Sequence, residues 1–597
     1  MTKKNSLSLK HLVRAVELVY RSSPKWTFIN SILTILRGLI PLLLLLVVKQ
    51  LIDVVDPSNG IDSINNTEIL KSLSLVGSFF LLNAISGSVN SLTRERQSHF
   101  LKDYIQKLIH SKTVHLPYGY FEDSSYQDLF FRAINEANFR PGKVFYSILG
   151  LFQNTITLLV MLSVLTTFNW LLIPVLLGIG IPIIFFRMYY SRKEYELKLE
   201  QTEDERRLQY FNRLLVGKDF AKEVRIFNLS KTFSNKYNQV RDEVRNKQWS
   251  ISKSKTLRES IVQILSTIIL LVVFSFIISE AIKGNITNGA MAMYFLALQR
   301  SYAVLQELLT RMSSLLEDNL FLKNFFDFQN IEIPAQKNAK GNFPLPLQNG
   351  IVFKNVSFKY PNTDRYVFHD LNLSIPAGHT VALVGANGSG KTTIVKLLAG
   401  LYKPTNGEIL FDKNNLSKIH PSDLAENISI IFQDFMLYNV SAKDNIRFGN
   451  MRRPFSMEQI TDAAKNAGIH NIFDNLKDGY DTHLGTLFKD SEMLSRGEWQ
   501  RTALARSFYN DAQVIILDEP TSSLDAYTEA NLINHFKEIT KKRTAIIVSH
   551  RLSTIHLADT IIVLKDGEIC ENGSYEDLIS LKGEFYNMIN VYQNPLS

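Results

Sequence analysis

Between Trp26 and Val48 the chain runs through an almost unbroken series of apolar residues, interrupted only by Arg37 and a few small polar side chains. At about 1.5 Å per residue this stretch is long enough to cross the roughly 30 Å hydrocarbon core of a bilayer. Inside lipid the backbone must satisfy its own hydrogen bonds, so such a stretch reads as a helix. Comparable stretches follow near 70–92, 144–168, 171–190, 260–282 and 288–310. The fourth contains Pro174 and Pro182, and the sixth carries Gln299, Arg300, Gln306 and Glu307. Residues 26–329 are therefore expected to form an α-helical polytopic membrane domain of six spans.

Charge sets the orientation. The segments 93–143 and 191–258 carry 8 and 17 Lys/Arg, whereas the loop from Asp53 to Glu68 has none and holds several acids. Basic segments stay on the cytoplasmic side, so the formal net charge of +9 reports topology rather than a nucleic-acid partner. Both basic segments read as helical hairpins, which predicts spans that continue as long cytoplasmic arms. Their tips, Tyr120–Asp128 and Gly217–Phe227, are short polar and aromatic stretches. Residues 1–25 place Leu9, Leu12, Val13, Val16 and Val19 at helical spacing among Lys and Arg, as in an amphipathic helix on the cytoplasmic membrane surface. Polar residues inside spans are costly and face a cavity or a neighbouring helix. Arg37, Gln153, Asn154, Gln263, Gln299 and Arg300 form the pool from which a substrate cavity could be lined. Cys570 is the only cysteine, which rules out an internal disulfide.

A Pro-, Asn- and Lys-rich linker at 330–349 separates this half from residues 350–597, where apolar strands alternate with helical runs in the manner of an α/β domain. Here Gly385-Ala386-Asn387-Gly388-Ser389-Gly390-Lys391-Thr392 lies between a strand reading and a helix reading. This is the P-loop pattern: the glycines let consecutive N–H groups face phosphate, Lys391 reaches the outer phosphates, and the Thr392 hydroxyl can ligate magnesium. Thr393 completes the nucleotide-binding set. Val514-Ile-Ile-Leu-Asp518-Glu519 supplies the companion strand. Asp518 at its end can hold magnesium through water, and Glu519 has the type and place to polarise an attacking water. ATP and Mg2+ are the expected cofactors and ATP hydrolysis the expected reaction. Because ATP is cytosolic, both termini and the ATPase domain are expected on the cytoplasmic side of the cell (inner or plasma) membrane, and an even number of spans agrees with this.

With these features in place, the chain resembles an ATP-binding cassette exporter of the half-transporter type, membrane domain and nucleotide domain fused, over nearly its whole length. The most specific mark is Leu494-Ser495-Arg496-Gly497-Glu498-Trp499-Gln500, similar to the family signature LSGGQ, with Arg496 in place of a glycine and Glu498 in place of the glutamine. The resemblance implies that Ser495 and Gly497 cap the γ-phosphate of ATP held by the opposite subunit. It further implies that Tyr360 stacks on adenine, Gln433 senses magnesium, Asp525 lies in the loop that crosses to the partner, and His550 contacts the γ-phosphate. The arm tips around Tyr126 and Phe227 resemble coupling helices.

One P-loop and one signature per chain make the working unit a dimer, either of two copies or with a related half-transporter. The implied activity is export across the membrane by alternating access, with a peptide as leading substrate and amphipathic drugs or lipids as alternatives. No peptidase domain precedes the first span, so leader cleavage is not expected. An ATP-gated channel is the reading from another class, and the presence of both Glu519 and His550 argues against it.

Overall fold

The structure is a computed structural model and describes residues 9–55, 66–333, 341–541 and 543–593. Residues 1–8 of the N-terminal segment, 56–65 of the acidic loop and 334–340 of the linker lie outside the described residues. The chain divides into two units, one comprising Met1–His115 and Ser124–Glu332, the other Leu116–Asp123 and Ile333–Ser597.

The first unit is helical: α1 (Leu9–Ser22), α2 (Pro24–Val55), α3 (Asn66–Val114), α4 (Ser124–Ala137), α5 (Arg140–Thr166), α6 (Leu172–Glu200), α7 (Thr202–Val216), α8 (Ala221–Ile226), α9 (Ser230–Ile282) and α10 (Asn288–Asn330). Five of these, α2, α3, α5, α6 and α9, are long and apolar enough to cross a membrane. The sixth expected span, on α10, does not reach that standard, because Gln299 and Arg300 interrupt its apolar run. At 49 and 53 residues, α3 and α9 are each about 75–80 Å long, far beyond what a bilayer core requires.

The helices share buried apolar clusters such as Leu45, Met161, Leu165, Leu176, Val273 and Leu298, but α2 and α3 also meet through small and polar residues. On α2 the inward stripe is Thr27, Asn30, Thr34 and Gly38, while Phe28, Leu36 and Leu46 are exposed. This suits a lipid-facing helix, where association depends on close packing and interhelical hydrogen bonds rather than on hiding leucine. Asn30 donates to Gln97 Oε1 at 2.6 Å, Thr93 donates to Asn30 Oδ1 at 2.6 Å, and Gln97 donates to Thr27 Oγ1 at 2.9 Å, joining α2 to α3. On α5 the buried Arg140 pairs with Asp318 and, at 3.1 Å, with Glu317, tying α5 to α10. The amphipathic α1 packs one side of its apolar face on the other helices. Its Ala15 and Val19 are buried and Val13 is exposed, and the Arg14 guanidinium lies 4.1 Å from the Phe326 ring centre, so part of its apolar face is spent on protein.

The second unit contains two sheets. A four-stranded antiparallel sheet has the order β2 (Tyr366–Ile375), β1 (Ile351–Lys359), β4 (Asn406–Phe411), β5 (Asn414–Asn415). A six-stranded sheet has the order β10 (Glu568–Gly573), β9 (Thr560–Lys565), β3 (Thr380–Gly385), β8 (Thr544–Val548), β7 (Val514–Asp518), β6 (Ile428–Ile431). All neighbours from β9 to β6 are parallel, and β10 is antiparallel to β9. The residues of β3, β7 and β8 are buried without alternation, as expected of strands covered on both faces. Parallel pairing brings the carboxyl ends of β3, β8, β7 and β6 to one edge, where ligands of such sheets bind.

Candidate nucleotide site and membrane cavity

The loop after β3 leads into α11 (Lys391–Leu398). Gly385 and Gly390 have φ of +149° and +107°, which L side chains rarely adopt. A Cβ at Gly385 would also lie 2.2 Å from the Leu564 carbonyl, and one at Gly390 2.4 Å from the Phe368 ring, so both positions require glycine. Lys391 Nζ donates to the carbonyls of Gly385 at 2.6 Å and Ala386 at 2.9 Å, curling the loop around it. Burial pulls the Lys391 ammonium below the usual lysine range, against the pull of Glu519 and Asp518. Ser389 Oγ is buried without a hydrogen-bond partner among the described residues.

β7 ends at Asp518, whose Oδ2 is likewise buried without a partner. Burial first, and the Glu519 charge second, raise its pKa to about 6, while a hydrogen bond with Thr392 opposes the shift. Unpartnered carboxylate oxygen beside a hydroxyl is the hard donor set that suits magnesium. Glu519 follows with φ of +50°. Its Oε2 accepts from Gln433 Nε2 at 2.8 Å, and its Oε1 lies 4.0 Å from His550 Nε2. Burial, then Lys391, hold the His550 imidazole below its usual range. A neutral imidazole and an amide thus flank the carboxylate, which leaves it able to take a proton from water. The structure therefore brings Lys391, Thr392, Gln433, Asp518, Glu519 and His550 to one edge of the sheet.

The remaining expected residues have partners of their own. Tyr360 is tied through its hydroxyl to Thr393 Oγ1 at 2.9 Å, with Lys396 Nζ 5.3 Å from its ring centre. Ser495 caps the helix Arg496–Tyr509 and Asp525 caps Ala526–Thr540. Neither Ser495 nor Gly497 hydrogen-bonds to the P-loop among the described residues. Ser495 and Glu498 form a capping box, Ser495 Oγ accepting from the Glu498 N–H at 3.3 Å and Glu498 Oε2 from the Ser495 N–H at 2.6 Å. The glutamate that departs from LSGGQ is thus a helix cap.

Of the expected coupling residues, Tyr126 lies on α4 in the helical unit, buried, its ring stacked on Phe130 at 5.5 Å. Phe227 follows α8 and is exposed. The segment grouped with the ATPase unit is Leu116–Asp123, upstream of Tyr126. Its Glu122 accepts from the Tyr402 hydroxyl at 2.5 Å and pairs with Lys396 at 3.4 Å, and its Tyr118 meets Tyr402 edge-on.

In the helical unit a cavity of about 670 Å³ is lined by residues that include Tyr146, Gln306, Glu307, Thr310 and Arg311. None of the six polar span residues singled out from the sequence lines it. Asn154 reaches it by donating to Glu307 Oε2 at 3.0 Å. Gln263 lines a separate small cavity beside Arg187 and Glu259, Gln153 and Arg37 are half-buried, and Gln299 and Arg300 are exposed. Tyr146, Gln306, Glu307 and Thr310 stand near the ends of the expected third and sixth spans, and Arg311 just past the sixth, so sequence position alone does not bring them together.

Sequence comparison agrees with both halves. Residues 27–302 match the ABC transporter transmembrane region and residues 368–522 match the ABC transporter domain, in the order and fusion the structure displays. The chain belongs to the ABC transporter family. It is similar to the subtilin transport ATP-binding protein SpaT of Bacillus subtilis, at 29% identity over 94% of this chain and 91% of the relative. It is also similar to the nisin transport ATP-binding protein NisT of Lactococcus lactis subsp. lactis, at 26% identity over 96% and 94%. A bacterial Atm1-family ABC exporter solved with ATP bound shares the fold, with a TM-score of 0.78, 21% identity, and coverage of 96% and 98%. This transporter is a multi-pass membrane exporter that binds and hydrolyses ATP. As a half-transporter it dimerises.

Proposed function

We propose that this ABC transporter is a homodimer in the cytoplasmic membrane that exports a peptide. The observation that carries the peptide reading is the near full-length similarity to the subtilin and nisin transport proteins, both named for peptides. One P-loop and one signature in each chain, with Ser495 and Gly497 intact, support two identical copies, each signature facing the P-loop of the other.

In this reading six spans cross the membrane, α10 being the least apolar, and the basic arms keep the ATPase unit in the cytoplasm. Lys391 and the loop from Gly385 to Thr393 bind the phosphates, and Tyr360 sits beside the base. Thr392, Gln433 and Asp518 would hold magnesium, which neutralises phosphate charge when bound. Glu519 takes the proton of the attacking water and His550 orients it. Asp525, Ser495 and Gly497 complete the partner's site. Glu122 and Tyr118 transmit closure from one nucleotide domain, and Phe227 from the other.

The test is ATPase activity of the purified chain alone in liposomes, titrated with peptides, amphipathic drugs and lipids. Stimulation by peptides followed by their ATP-dependent transport is the expected result. Stimulation confined to drugs or lipids overturns the peptide reading. A folded, ATP-binding sample without hydrolysis overturns the homodimer.

A further inference from the structure

Arg37 stands on α2, Arg94 on α3 and Arg311 on α10. All three are half-buried, and the Nε of each is buried with no hydrogen-bond partner among the described residues. They form one cluster, since Arg94 lies within electrostatic reach of both Arg37 and Arg311. The Arg94 guanidinium lies 5.0 Å from the centre of the Tyr146 ring, and Tyr146 and Arg311 both line the cavity of about 670 Å³. Like charges held this close repel one another, and packing alone does not call for three of them.

The backbone makes room for the cluster. At Gly150 on α5 a Cβ would lie 2.4 Å from Cζ and Nη1 of Arg311, so glycine is what lets this guanidinium lie against the helix. Of the nearby carboxylates, Asp318 holds Arg140 and Lys143, while Glu307 accepts from Asn154 and lines the cavity itself. Among the lining residues Lys143 and Arg311 face the single carboxylate of Glu307, and Arg94 stands behind the Tyr146 ring. Guanidinium forks match carboxylates and phosphates two bonds at a time. The volume is in the range of sites for small ligands, room for a few residues of an extended peptide, and Leu101 and Phe139 add apolar wall beside the polar groups.

We propose that Arg311, on the cavity wall with Arg94 and Arg37 behind it, receives a carboxylate of the transported peptide, so that an acidic side chain or free C-terminus is part of what this exporter selects. The assignment rests on the peptide reading above and names its chemistry.

The test uses the full-length chain in phosphatidylcholine liposomes. The probes are two decapeptides of equal apolar content, one with two aspartates and a free C-terminus, the other with two asparagines and an amidated end. The expected result is half-maximal ATPase stimulation at an at least tenfold lower concentration for the acidic peptide. Arg311→Gln, and separately Gly150→Ala, which displaces Arg311 without deleting it, should abolish that preference. Equal stimulation by both peptides, or a preference that survives both substitutions, overturns the arginine assignment and leaves the peptide reading standing. Silence of both peptides, with stimulation by added phosphatidylglycerol lost in Arg311→Gln, overturns the peptide reading and gives the cluster to a lipid phosphate. Silence towards all probes overturns both.

Discussion

Gln500 donates from its side-chain Nε2 to the backbone carbonyl of Glu519 at 3.1 Å, while its Oε1 accepts from the Ser523 N–H at 3.0 Å. The helix that begins at the signature thereby holds the peptide unit next to β7 in place. That unit needs holding, because Glu519 has a φ of +50°, and a non-glycine residue keeps such a conformation only where its surroundings over-determine it. Gln500→Ala is expected to lower kcat about tenfold while the KM for ATP changes less than threefold. Gln500→Glu, which keeps the acceptor but loses the donor, should fall between wild type and alanine. A kcat left unchanged in both variants would remove Gln500 from the positioning of Glu519.

Glu519→Gln should cut hydrolysis about 10²-fold or more while ATP still binds. Gln433 would then face an amide rather than a carboxylate, so the substitution tests the base without emptying the space. Nucleotide binding and steady-state turnover, measured on the same sample, check it. Near-normal turnover would reject Glu519 as the base.

Asp518 predicts a pH dependence of stability in the protein freed of nucleotide and metal by a chelator. Its folded pKa, about 6, stands above the ordinary value of 3.8. The folded state therefore binds a proton more tightly than the unfolded chain, and stability falls as pH rises from about 4 to about 6. Asp518→Asn removes that penalty. Its gain in thermal stability over wild type should grow across this window and then level off, with an upper bound of about 3 kcal/mol. A gain independent of pH would contradict the raised pKa.

Glu122 joins Lys396 of α11 and Tyr402, and Tyr360, bonded to Thr393 of α11, packs against both. Glu122→Ala should leave ATP binding within twofold of wild type and reduce substrate-stimulated hydrolysis severalfold, so that the ratio of stimulated to basal rates falls. Gly119→Val should do the same by a steric route, since a Cβ at Gly119 already comes within 3.0 Å of Pro361. Stimulation equal to wild type in both would remove this segment from coupling.

The sequence carried the nucleotide site further than the membrane unit, for a physical reason. Phosphate chemistry demands particular residues at fixed spacing, so Gly385–Thr392 and Asp518-Glu519 can be read in line. The cavity is assembled from residues such as Tyr146, Glu307 and Arg311, which come from two expected spans far apart in the chain and share no fixed spacing. Arg37 stands out because it interrupts an apolar run, whereas Arg94 sits beside Glu95 and Arg96 and Arg311 falls just past the end of the expected sixth span. Tyr126 and Tyr118 lie in one aromatic-rich tip, and only the break between α3 and α4 separates the buried ring from the docking one. Glu498 stands in the sequence only as a departure from LSGGQ, and its bond to the Ser495 N–H is what makes it a helix cap.

The grouping of Leu116–Asp123 with the ATPase unit bears on how this protein can be cut. A fragment begun at the linker would lack eight residues that its own fold uses, and would bare the Tyr402 ring, the Lys396 ammonium and the edge of Pro361. Such a piece is best prepared with a synthetic Leu116–Asp123 peptide supplied in solution, and the affinity of that peptide would measure how firmly the severed strand of connectivity is held.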